Sequence, residues 1–168
     1  MHRVKKSASA IVFLWTTLCV TLLGTASASA QTTEPDFPAG VACAFPMDIE
    51  SSGGQQVMRE FLDKNGNVVR TLAAGKGAVL TFTNLDTGET LTVTTGGSVT
   101  HITHHPDGSL TFVTTGHNVL ILFPSDVPAG PSTTLTQGRV VFTIDTNGVF
   151  TVTEVEGRTT DICAALSS

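Results

Sequence analysis

Turn chemistry recurs along this chain after Gly40 at a spacing that leaves no room for a helix of useful length. Asp63-Lys64-Asn65-Gly66-Asn67, Asn84-Leu85-Asp86-Thr87-Gly88, Gly96-Gly97, Pro106-Asp107-Gly108, Gly116-His117-Asn118 and Thr146-Asn147-Gly148 place a breaker roughly every ten residues. The segments between them are short, rich in Val, Ile, Phe and Thr, and mostly alternate apolar with polar positions. Alternation of this kind puts one apolar face on each strand, so the chain is expected to be all-β.

Strands are expected over 45–50, 55–62, 68–73, 78–83, 90–94, 98–105, 110–115, 119–123, 139–145 and 149–155, with Gly116-His117-Asn118 either a tight hairpin turn or a glycine bend in one long strand. Pro46 places the first at an edge or a strand start. Asn65-Gly66 is a strong hairpin signal. The same Asp63-x-Asn65-Gly66 is no calcium loop, because its twelfth position is Ala74 instead of a carboxylate. Val119-Leu120-Ile121-Leu122-Phe123 is apolar throughout and reads as a strand buried on both faces, the centre of the core. Leu80, Phe82, Ile102, Leu110, Phe112, Ile121, Phe123 and Phe142 are expected to point inward and fill that core. The loop 124–131, with three prolines, is a candidate rim of any site. The last segment, 161–166, reads as a short strand or a helical turn. Sequential hairpins favour a single antiparallel meander of about nine or ten strands curling into a closed or partly closed β-barrel, since closure removes exposed edges. A β-sandwich is the alternative.

The first thirty residues carry a different pattern. Arg3, Lys5 and Lys6, an apolar run over 10–23 and the ending Ala28-Ser29-Ala30 form a secretory signal peptide, with cleavage expected after Ala30. Residues 31–40 are polar with prolines and are expected to form a flexible mature N-terminus; a single domain then spans 41–168. Three of the nine Lys and Arg leave with the signal, and none of the fourteen Asp and Glu, so the mature chain holds six basic residues and a net charge of −8. Such a surface repels phosphate backbones and argues against nucleic acid and anionic membrane partners. The one Trp, Trp15, leaves as well and the chain has no Tyr, which argues against pockets built on those rings. Two cysteines remain, Cys43 and Cys163. In a secreted, extracellular chain they are expected to form a disulfide tying the two ends together.

Chemistry-bearing residues are few. His101, His104 and His105 with Asp107 form the most suggestive cluster for a metal. If Pro106-Asp107-Gly108 closes a hairpin, Ile102 pairs with Phe112 facing inward and His101 and His105 turn outward, about 13 Å apart along the strand, too far to share one ion without a bend. Arg59 and Arg70 on the early hairpin are candidate anchors for an acidic ligand in a barrel mouth. No Gly-x-Ser-x-Gly elbow is present, and Asp63, Asp86, Asp107 and Asp126 sit in turns where solvation explains them.

Residues 116–131, with Gly138-Arg139-Val140-Val141 and Asp161-Ile162-Cys163, resemble a pattern in small secreted β-rich proteins of actinobacteria, a group that brings no activity, ligand or catalytic residue with it. Lipocalins are an analogy of strand count alone, since their Gly-x-Trp signature is absent. The expectation is a monomeric, exported binding or surface-interaction module without a cofactor, whose partner is a protein or a small molecule. A small-molecule carrier with its ligand in the barrel mouth and a metal-dependent or hydrolytic enzyme using 101–105 are the alternatives.

Overall fold

A computed structural model gives the fold and describes residues 36–168. The expected signal peptide and residues 31–35 lie outside the described residues. Seven antiparallel strands make one sheet: β1 (Met47–Leu62), β2 (Val68–Asn84), β3 (Thr90–Thr94), β4 (Val99–His104), β5 (Leu110–Leu122), β6 (Ser132–Ile144) and β7 (Phe150–Asp161), followed by the short helix α1 (Ile162–Ala165). The strand order is β1-β2-β4-β5-β6-β7. β3 continues the line of β4 beside β2, with β4 pairing 70–74 and β3 pairing 79–83.

Seven strands replace the nine or ten expected because three glycine clusters lie inside strands. Gly53 pairs with Ala78, Gln56 with Gly75, and Gly116 with Gly138, so the ladders run through positions that read as turns in the sequence. Gly116 takes φ +91°, and a Cβ there would collide with the carbonyl of Gly97, so only glycine fits. Gly116, Gly138 and Gly157 stand directly opposite one another across β5, β6 and β7, a row without side chains crossing three strands. We call this row, with Gly75 and Gly77 of β2, the seam.

The sheet is not a closed barrel. β1 and β7 are its outer strands and are not paired with each other. Nor is the core single. On the disulfide side of the seam, Met47, Phe82, Val93, Leu135, Ile162 and Leu166 are buried in one cluster, with Leu80, Val119 and Ile121 packed against it. On the other side the buried positions are Thr71, Ala73, Thr114 and Val140. Register is unbroken along β5 and β6, and side chains alternate, so Val119 and Ile121 lie on the face opposite to Thr114 and Phe112. Leu122 and Thr136, on the disulfide side, are buried on the same face as Thr114 and Val140, so that side buries both of its faces. Phe112, Phe142 and Phe150 stack at 4.6 and 4.1 Å between centroids on the face of Thr114.

The true centre is β6, with no exposed residue among its 13, although half of it is polar. Phe123, expected at the middle of the core, is 38% exposed at the end of β5, where it stacks on Phe37. Order begins before Val41: Phe37 exchanges two backbone hydrogen bonds with Met47, and the Asp36 carboxylate accepts from the amide of Ile49. Cys43 and Cys163 form a disulfide with Cα atoms 5.6 Å apart, fastening this N-terminal segment to α1. Nearby, Thr133 Oγ1 donates to the carbonyl of Ala42 and Asn84 Nδ2 to that of Leu166, joining both ends of the chain to the core.

Candidate functional site

The hairpin β4–β5 forms as its turn residues imply, with Ile102 opposite Phe112 and Gly108 donating to the carbonyl of His105. That register separates the histidines. His101 is exposed opposite Val113, His104 is half-buried on the other face with Nε2 3.0 Å from Thr71 Oγ1, and His105 Nε2 is 2.8 Å from Thr111 Oγ1. Asp107 is engaged by its own turn. Its carboxylate accepts from the hydroxyl and the amide of Ser109, which hold its carboxyl below the usual range. His105, Asp107 and Asp145 border a wide depression, yet among the described residues no three His, Cys, Asp or Glu side chains converge on a point that would hold an ion. The expected set of His101, His104, His105 and Asp107 is thus not brought together.

Arg59 and Arg70 are also not where a ligand anchor requires. Both are exposed and flank one ring, their guanidinium carbons 5.4 and 4.5 Å from the centroid of Phe61. Cation–π contact on an outward face explains them without a ligand. The proline-bearing loop, expected as a rim, is pinned instead by Asp126, whose carboxylate accepts from the amides of Phe123 and Phe150.

The seam creates the space that the sequence reading missed. Where Gly54, Gly75 and Gly77 leave β1 and β2 without side chains, a cavity of about 360 Å³ opens toward Lys76, Ser98 and His117. The His117 ring is held there by Nδ1 donating to the carbonyl of Gly96 at 3.0 Å. A second cavity of about 320 Å³ is lined by Thr114, Asn118, Val119, Leu120, Ile121, Val140, Phe142 and Phe150, with no charged side chain in its wall. Asn118 borders both. Its Oδ1 accepts from the hydroxyl of Ser98 at 2.6 Å, but its Nδ2 is buried without a partner. Thr136 Oγ1 is likewise buried and unpartnered, and Thr136 stands directly opposite Asn118 in the ladder. Directly opposed residues of an antiparallel pair hold their Cβ atoms about 4.5–5.5 Å apart on the same face. Two adjacent orphan groups in a folded protein call for an explanation, because a buried polar group without a partner costs about 1–3 kcal/mol.

One sequence signal pointed here: Gly116-His117-Asn118 sets an amide against the most apolar run of the chain. Its meaning depended on whether the glycine turned the chain or bent it. No family model, curated protein or solved structure matches the chain, so geometry carries the functional argument.

Proposed function

We propose that the protein is an exported binding module that holds a small molecule on the face of the sheet shared by Asn118, Val140 and Phe142. The observation that carries this reading is the uncharged cavity of about 320 Å³ beside an amide nitrogen that has no partner within the protein. Its volume falls within the range of about 300–1,000 Å³ usual for small-molecule sites. In this reading the bent sheet acts as a partly closed barrel with the cavity as its mouth, and the anchor is Asn118 instead of Arg59 or Arg70. Export is supported by the basic, apolar and small-residue pattern of residues 1–30 and by the pairing of Cys43 with Cys163, the state expected in an oxidising compartment. The likeness of residues 116–131 to secreted actinobacterial proteins belongs to the same reading. Native mass spectrometry of the protein taken from culture medium is expected to give a mass above that of the denatured chain by the mass of a metabolite. A native mass equal to that of the bare chain removes the reading.

A second reading, a surface-interaction module, rests on β1. From Glu50 to Glu60 every residue of this outer strand is exposed, and Val57 and Met58, on opposite faces, are 67% and 63% exposed. A long unpaired edge with apolar residues on both faces is a template for strand addition by another chain. If β1 pairs with a second copy, the native mass is twice that of the chain, and Met58→Lys returns it to monomer.

A further inference from the structure

We infer that the cavity takes an uncharged ligand with an aromatic or similarly apolar body and a single hydrogen-bond acceptor as its head, a ketone or an ester carbonyl being the simplest case. This inference rests on the small-molecule reading above and adds the chemical class. Three features lead to it. The floor is aromatic: Phe142 and Phe150 stack at 4.1 Å and are half-buried, leaving ring surface for an apolar body. The wall carries neither acid nor base, so an ionised head would lose its hydration with no counter-charge to replace it. The unmet polar group at the seam end is Asn118 Nδ2, a donor on a residue that lines the cavity and shares the face of Thr114, Val140 and Phe142. An acceptor head completes it, whereas a donor head leaves it unmet. Gly116 and Gly138 carry no side chain beside Asn118, and Thr114 and Val140 stand between them and the aromatic rings.

The test uses the mature, disulfide-bonded chain titrated with acetophenone, ethylbenzene and benzoate as probes. These share a ring and differ in bearing a neutral acceptor, no acceptor or a charged head. Binding is followed by the side-chain amide resonances of Asn118 and the ring resonances of Phe142. Acetophenone is expected to bind about three- to tenfold more tightly than ethylbenzene, the factor one neutral hydrogen bond supplies, and benzoate more weakly than either. Asn118→Leu is expected to bring acetophenone down to the affinity of ethylbenzene while leaving ethylbenzene unchanged. Equal binding of acetophenone and ethylbenzene, tighter binding of benzoate, or unaltered acetophenone binding in Asn118→Leu overturns the assignment. If no probe binds while the secreted protein carries extra native mass, the ligand class is wrong and the binding reading stands. If extra mass is absent too, both fall.

Discussion

At the scale of single residues, the turns are the most readable part of this protein. Asp63 and Asp145 each open an Asp-x-Asn-Gly turn, and each carboxylate gathers the turn's own donors: Asn65 and Asn67 amides for Asp63, Asn147 and Val149 amides for Asp145. The Asn67 amide foremost, and the Val149 amide in the second turn, hold these carboxyls below their ordinary value of 3.8. A folded value below the unfolded one means that the fold favours the ionised form. Its contribution is complete above pH 3.8 and is lost as pH falls through the lower folded value. Thermal unfolding midpoints of Asp63→Asn/Asp145→Asn and wild type are therefore expected to differ near neutral pH and to converge in acid. Parallel curves down to the acid limit would contradict this. The histidines show the opposite side of legibility. Their outward and inward facing followed from period two and the Pro106 turn, and so did their separation. Nothing in the sequence marked Thr136, one of many threonines, as the buried one without a partner.

At the scale of elements, glycine was the ambiguous signal. Gly53-Gly54 and Gly116 sit where a hairpin turn is plausible, yet strand pairing passes through both. The reason is energetic: each residue kept in the ladder retains its backbone partners, and a glycine with positive φ bends a strand at lower cost than ending it. The two sites should differ when substituted. At Gly53 the backbone is left-handed, φ +67°, but the space is open, whereas at Gly116 a Cβ also meets the Gly97 carbonyl. Urea denaturation is expected to show a loss of about 1–2 kcal/mol for Gly53→Ala, the left-handed penalty alone. Gly116→Ala is expected to lose more than that, about 3 kcal/mol or above, as φ strain and the clash combine. Equal losses would mean that the seam yields.

At the scale of the whole molecule, the open sheet needs fastening. Each of its two cores covers only part of the sheet, and β1 projects with little to cover it. The Cys43–Cys163 bond spans 120 residues and joins the N-terminal segment to α1 over the larger core. In the chain-entropy account, closing so long a loop stabilises by about 4–5 kcal/mol. Cys43→Ser/Cys163→Ser is expected to lower the denaturation free energy by that amount, and a reducing agent is expected to make wild type behave alike. A variant that unfolds at the wild-type urea concentration would show that Thr133, Asn84 and the buried Ile162 and Leu166 hold the ends without it.

The sequence by itself determined the all-β class, the four hairpin or turn sites at Asp63, Asn84, Asp107 and Asp145, the pairing of Ile102 with Phe112 and the partnership of the two cysteines. These depend on local periodicity, turn chemistry and the scarcity of alternatives, all of which act within a few residues or through a single covalent choice. Tertiary structure alone decided that the sheet stays open, that β6 and not 119–123 is its centre, and that both faces are buried on the disulfide side of the seam. Each of these depends on which surfaces meet. The same alternating strand buries its even or its odd side according to what packs on it, and an amide such as Asn118 becomes a site only when a glycine row clears the space beside it.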